Sequence, residues 1–303
     1  MDRAVSTAAT LETKIGAKVL RAMLTILGAL LLISLWSSRA QAAETPVAAK
    51  SYLGFDRNEY PGDAVLPALR RNFAYAGYWL NTPPGASFNS WAGKRAILRA
   101  QGFGFLILFN GRLDAELKGK DAAALGRTDA QAAILAASKE GFPSGALIFL
   151  DQEEGGRLLP EQSSYLFAWV DAVRKSLRYR AGVYCSGIYV PDGSARISTA
   201  MDIRNHESTN HNTRPIALWV AQDECPPSPG CVIPHELPTP DRGGVPGALV
   251  WQYTQSPRRP QFTAKCAATY AADGQCYAPG LPHNGQSFLD LDVSESVDPS
   301  SGR

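Results

Sequence analysis

Residues 146–153 read Ala-Leu-Ile-Phe-Leu-Asp-Gln-Glu, five apolar residues in a row followed by two acids with one glutamine between them. An unbroken apolar run of this length reads as a strand buried on both faces, the kind found in parallel sheets. If extended backbone continues to its end, Asp151 and Glu153 leave on the same face, with Cα atoms about 6.6 Å apart. The stretch therefore makes two statements at once, a parallel strand and a pair of carboxylates at its carboxyl end.

Working outward, similar short runs recur at 52–56, 75–80, 103–109, 181–185, 216–221, 248–253 and 288–293. With 146–151 they make eight strands. Helical patterns fall between the early ones at 90–101, opening at Ser90, at 129–141, following Thr128, and at 161–179. Gly102 and Gly141 stand where helix ends favour glycine. After the sixth strand the helical signal fades, and 222–247 and 254–286 read as loops. This alternation predicts an α/β chain, a single TIM-like β/α barrel that is irregular in its last three strands. The chain beyond the Pro/Gly-rich stretch 223–247 offers only two strands, too few for a core of its own. One domain is expected over 50–296, with a solvated polar tail at 297–303.

The first residues read as an export signal. Arg3, Lys14, Lys18 and Arg21 precede the apolar run 22–36, and Ala40 and Ala42 give a small-residue cleavage pattern. Cleavage is expected near Ala42, leaving a secreted or periplasmic protein with no membrane attachment; retention of the segment as an anchor is the alternative. Of 30 Lys and Arg and 28 Asp and Glu, residues 1–42 hold five and two, so 25 bases face 26 acids in the remainder. Such a balance argues against nucleic acid as partner, which needs a concentrated basic face. Five cysteines in an exported chain predict disulfides, most economically Cys225–Cys231 and Cys266–Cys276, with Cys185 left as a buried thiol. None of these spacings makes a zinc site, so no metal is expected.

In β/α barrels the chemistry sits at the carboxyl ends of the strands. The first strand ends in Asp56, the fourth carries Asp151 and Glu153, and the last contains Asp290 and Asp292. Glycosidic hydrolysis needs two carboxyls, one to protonate the leaving oxygen and one to act across the sugar. The longer Glu153 is assigned the general acid, with Asp151 orienting it or stabilising charge; a solvated acidic loop capping the next turn is the plain alternative. Tyr78, Trp79, Tyr184, Trp219, Trp251 and Tyr253 are the aromatic candidates for stacking on sugar rings, although large aromatics also fill barrel interiors. Gln222 and Gln252 would suit hydroxyl recognition. His206, His211, His235 and His283 fall in predicted loops with no Gly-x-Ser-x-Gly elbow, which argues against a serine triad. No phosphate-binding glycine loop follows an early strand, so no cofactor is expected.

Taken in order, Gly54-Phe55-Asp56, 149–153, 182–186, 218–222, Trp251-Gln252-Tyr253 and Leu289-Asp290-Leu291 resemble glycoside hydrolase family 25, the lysozyme-type muramidases. They are still more similar to the bacterial glycoside-hydrolase-like domains numbered 1906 among the domains of unknown function. The resemblance implies that Asp56, Asp151, Glu153 and Asp290 form an acidic cluster with Glu153 as proton donor, and that Tyr184 and Trp219 line the same cleft. It implies cleavage of β-1,4 bonds of peptidoglycan or a related N-acetylated glycan, the 2-acetamido group serving as internal nucleophile; a monomer is expected. The alternative is a non-catalytic glycan-binding protein of the cell envelope that uses the same cleft. The sequence departs from the family in Arg57-Asn58-Glu59-Tyr60 after the first motif and in the loops 81–90 and 223–247.

Overall fold

The computed structural model describes residues 50–210 and 214–303. The export segment and His211 lie outside the described residues. The barrel strands are β1 (Tyr52–Asp56), β2 (Tyr75–Trp79), β3 (Gly104–Asn110), β4 (Leu147–Gln152), β5 (Arg180–Ser186), β8 (Ala217–Ala221), β9 (Val250–Thr254) and β10 (Asp290–Ser294). They close in the order β1-β10-β9-β8-β5-β4-β3-β2. Neighbours are parallel except at β10, which runs antiparallel to both β1 and β9. The small ribbon β6 (Val190–Asp192) with β7 (Ala195–Ile197) stands apart from the barrel.

The eight predicted strands match the eight barrel strands to within two residues at each end, because β-branched and aromatic runs this short have no other way to bury both faces. Helix boundaries differ more. The predicted helix 90–101 is Arg95–Ala100. Gly93, at φ 77°, interrupts the chain before it, and the Ser90 hydroxyl accepts from Tyr60 N at 2.9 Å rather than capping. The helix predicted at 129–141 begins seven residues earlier, as Ala122–Lys139, because the alanines that follow Asp121 favour helix and the Asp121 carboxylate accepts from Ala124 N. The third is Pro160–Lys175 and stops short of Leu177, at φ 55°. Helix Thr199–Thr209, capped by Ser198, has no counterpart in the sequence prediction, since its polar residues leave only a narrow apolar face; His206 belongs to it and not to a loop. Among the described residues, no helix is long and apolar enough to cross a membrane.

Two expectations are overturned. The disulfides are Cys225–Cys266 and Cys231–Cys276, with Cα atoms 5.8 and 5.2 Å apart, and not the two local pairs. Proximity in sequence favours local bridges only when each loop folds alone. Here the loops after β8 and β9 pack on each other, so each bridge joins one to the other. The segment 297–303 is no solvated tail: Asp298 and Ser300 accept from the N–H groups of Phe105 and Ile107, Leu147 N donates to Ser300 O, and Arg95 grips Gly302 O at 2.7 Å. These polar residues close the amino-terminal end of the barrel, where strand N–H groups would otherwise be buried without partners. Cys185 is a free, buried thiol, pushed up to about 12 by burial.

Candidate active site

A cleft of about 270 Å³ opens at the carboxyl ends of the parallel strands. Asp56 from β1, Trp79 from β2, Asp151 from β4, Tyr184 from β5, Trp219 from β8 and Gln252 from β9 wall it, with Glu153 and Asp290 at its edge. Alternation along β2 sends Trp79 inward and Tyr78 outward. Gly77 keeps the interior open beside Asp56, since a Cβ there would lie 2.6 Å from the Asp56 Cβ.

Regular pairing of β4 ends at Gln152, and Glu153 is the first residue beyond it. Its side chain still turns to the same side as Asp151, and the two carboxyls hydrogen-bond to each other. The turn is fastened on either side. Gly111 N donates to the Asp151 carbonyl at 3.2 Å, and the Glu154 carboxylate accepts from Asp114 N at 2.7 Å and Gln162 Nε2 at 2.5 Å. Glu154 is thus an anchor that leaves Glu153 facing the cleft. Burial, then the neighbouring charge of Glu153, holds Asp151 well above the usual carboxylate range. Surrounding atoms also raise Glu153, but its side chain is exposed to the cleft and Arg259 opposes the shift. Solvent access makes the Glu153 shift the smaller of the two.

A second acidic group faces this pair. Asp56 is buried, and burial pushes it to about 6 even though Gln252 Nε2 donates to its Oδ1 at 2.8 Å. Asp290 pairs with Asp56 across β1 and β10, and Asp292 lies one pleat deeper. Because β10 runs antiparallel, these acids near its amino end are level with the carboxyl ends of its neighbours. Their position thus follows the strand-end rule in an inverted sense. Asp290 Oδ1 accepts from Ser256 N at 2.6 Å and Asp292 Oδ1 from Trp219 Nε1 at 2.9 Å. Burial holds both well above the ordinary carboxylate range.

Polar and cationic groups complete the wall. Tyr184 OH donates to Gln252 Oε1 at 2.8 Å, and Gln255 Nε2 donates to both the Tyr184 oxygen and Gln252 Oε1. Gln252 is thereby oriented with its amide nitrogen on Asp56. Arg259 reaches the cleft from the loop after β9 and pairs with buried Asp223 at 2.5 Å. The two disulfides bind that loop to the one carrying Asp223.

Four sequence candidates lie elsewhere. Tyr78 faces the helices, packs on Trp91, Phe105 and Phe142, and donates to Glu140. Trp251 and Tyr253 pack on each other on the outer face of β9, and Trp251 Nε1 donates to Gln222 O at 2.8 Å. Gln222 is used by its own loop, accepting from Glu224 N and donating to Gly187 O. In each case the period of two, or a local backbone demand, outweighs the strand-end position. Trp79, an aromatic candidate, and Asp292, one of the strand-end acids, face the barrel interior as alternation requires. Gln255 and Arg259 were not among the candidates; they sit on irregular loop, where sequence offers no periodic signal. Among the described residues, no group of three or more His, Cys, Asp or Glu is disposed to hold a metal ion.

The acids carry a cost in stability. Asp292 is fully buried, its Oδ2 has no protein donor, and its folded-state pKa lies above the unfolded one. The folded protein therefore holds a proton that the unfolded chain releases, and stability from this group is lost as pH rises. Asp292→Asn keeps an acceptor for Trp219 and supplies a donor toward Asp56. Thermal melts should show the variant more stable at neutral pH by about 1 kcal/mol or more, a rise of about 2–4 °C in Tm per kcal/mol, with the gain shrinking below the ordinary aspartate range.

Residues 89–226 match the family model of the Rv2525c-like, glycoside hydrolase-like domain. The chain is similar in fold to an uncharacterized B. stearothermophilus protein, at 18% identity and a TM-score of 0.54 over 80% of this chain and 95% of that one. It is also similar to the Clostridium perfringens spore cortex lytic enzyme SleM, at 16% identity and a TM-score of 0.47 over 81% and 68% of the two chains. The Mycobacterium tuberculosis Tat-secreted protein Rv2525c, in complex with HEPES, aligns at 12% identity and a TM-score of 0.46 over 84% and 98%. No curated protein matches the chain.

Proposed function

We propose, from a barrel whose residues 89–226 carry the Rv2525c-like, glycoside hydrolase-like domain, that the protein is an exported glycosidase of the muramidase type. Its substrate is peptidoglycan or a related N-acetylated glycan, cut at a β-1,4 bond by carboxylate acid/base catalysis. The observation that carries this is the contrast within one hydrogen-bonded pair, Asp151 buried and Glu153 open to the cleft, opposite a second set of acids. A pair of this kind retains one proton where an isolated carboxyl has lost its own.

Glu153 passes the shared proton to the leaving glycosidic oxygen as its bond to the anomeric carbon breaks and the sugar's 2-acetamido oxygen closes on that carbon; water then opens the ring so formed, its hydroxyl going to the anomeric carbon and its proton back to the Asp151/Glu153 pair. Asp56, ionised above about 6 and held by Gln252, faces the developing positive charge at the anomeric carbon or steadies the 2-acetamido group. Tyr184, Trp79 and Trp219 form the aromatic wall. Activity, followed as reducing ends released from peptidoglycan, should rise as pH climbs through about 6 and Asp56 ionises, then fall as the Asp151/Glu153 pair loses its proton. Gln252→Met removes the donor that favours ionised Asp56, so the acid limb should move upward in pH. An unmoved limb separates Asp56 from the reaction. Release of no reducing ends, with muropeptides still bound, gives the cleft to a glycan-binding protein instead.

A further inference from the structure

The strongest feature outside the cleft is at the opposite end of the barrel. Arg180 opens β5, Arg174 lies in the last turn of helix Pro160–Lys175, and with Arg178 and Arg214 they surround a groove of about 370 Å³. Leu147, Arg180 and Ala217, the first residues of β4, β5 and β8, mark this as the amino-terminal end. It lies about 20 Å from the acids, the length of a seven-residue strand.

Among the described residues, none of these four arginines has a carboxylate partner within 4.0 Å, whereas Arg112, Arg157, Arg204 and Arg259 all do. Their bonds go to neutral oxygens: Arg174 to Arg214 O at 2.9 Å, Arg178 to Ser138 Oγ at 2.9 Å, and Arg180 to Gly145 O at 2.8 Å and Ser301 Oγ at 3.3 Å. In a chain whose residues 43–303 balance 25 bases against 26 acids, this is a local excess. The groove is also apolar. At its rim Leu177 is 91% exposed, held outward by a left-handed backbone (φ 55°), and the exposed Pro215 stands nearby. Leucine adopts that conformation at a cost, and it directs the side chain to solvent.

We propose that this end of the barrel docks on a bilayer containing anionic phospholipid. A headgroup phosphate sits among the four guanidiniums and Leu177 enters the acyl boundary. Unpaired arginines alone would accept any polyanion. The projecting leucine beside an apolar groove favours an amphiphile, since interfacial binding adds apolar burial to charge attraction. The sequence predicted no membrane partner after export; this surface argues for one, independently of what the cleft does. Docked in this way, the barrel turns its acidic cleft away from the lipid.

The test is co-sedimentation of the full chain with vesicles of phosphatidylcholine alone or with about 30% phosphatidylglycerol, at about 0.1 M salt, where screening acts over about 10 Å. The apolar run 22–36 is common to all variants, so differences between them read the groove. Arg178→Ala/Arg214→Ala should weaken binding to the anionic vesicles by about 30-fold, about five-fold for each arginine near the surface, with melting temperature unchanged. Arg178→Lys/Arg214→Lys should retain binding, and the uncharged Leu177→Ser should weaken it on vesicles but not on soluble polyphosphate. Equal binding by the parent and the double alanine variant overturns the proposal. So does loss in the lysine variant, or a Leu177→Ser variant that binds vesicles as the parent does.

Discussion

Glu153→Gln should reduce the release of reducing ends from peptidoglycan by about 10²–10⁴-fold, the range that a positioned general acid contributes. The glutamine keeps shape and hydrogen bonding to Asp151 but cannot deliver a proton. Glu153 is exposed to the cleft, and the adjoining turn is fastened through Glu154, so the fold should be untouched. The parent and variant should therefore melt alike and bind muropeptide alike, with the whole effect in turnover. Asp151→Asn should also lose activity, because Glu153 would then have no buried carboxyl to share a proton with. Equal rates in the parent and Glu153→Gln would remove Glu153 from the chemistry. Loss of binding together with rate would make it a binding group instead.

Replacing both disulfides, by Cys225→Ala/Cys266→Ala with Cys231→Ala/Cys276→Ala, should have the second largest effect. The bridges close segments of 41 and 45 residues that overlap along the chain. Each alone is expected to contribute about 2–4 kcal/mol, chiefly by restricting the unfolded chain. Since either bridge already limits most of the same segment, the pair should contribute less than twice that. The loops they join are irregular apart from short helical turns, and they carry Asp223, Gln255, Ser256 and Arg259. Activity should therefore fall more steeply than stability near the melting transition, as this wall loosens before the barrel does. Denaturant unfolding with parallel activity measurements would show the two curves separating; coincident curves would mean that the loops contribute nothing of their own to the site.

The two halves of the molecule were unequally legible. From β1 to β5 each strand is a short, mainly apolar run, and burial on both faces leaves little freedom in reading it. The acids at 56, 151, 153 and 290 could be placed at one end of the barrel because strand direction and side-chain alternation are set by geometry. The direction of β10 could not, since nothing in Leu289-Asp290-Leu291-Asp292 distinguishes a parallel from an antiparallel strand. Tyr78 and Trp251 show what strand-end position alone misses: each is one residue out of phase with the inward face occupied by Trp79 and Gln252. The disulfide pairing failed for a related reason. Spacing in sequence ranks loops by closure entropy, while the packing of one long loop on another is decided by contacts that no local pattern records. The closing segment 297–303 looked disordered by composition, yet the same serines, aspartate and glycine suit it to capping open strand ends.

The pH behaviour follows from the same burial that defines the site. Four acids line one cleft with Asp292 buried beneath them, and for Asp56, Asp290 and Asp292 the first cause of the upward shift is loss of solvent. A fold that only needed to be stable would replace them, as Asp292→Asn is expected to show. Their retention costs stability at neutral pH and leaves protonated and ionised carboxyls side by side, which is the condition that acid/base cleavage requires.

If Glu153 protonates a glycosidic oxygen, a crystal structure of Glu153→Gln with a tetrasaccharide of alternating N-acetylated sugars will show it in place. An intact glycan should lie along the cleft between Trp79 and Tyr184. One glycosidic oxygen should lie about 2.6–3.2 Å from the substituted side chain at position 153, with Asp56 on the other side of that ring. A glycan seated with no glycosidic oxygen within reach of position 153, or bound away from the cleft, would contradict it.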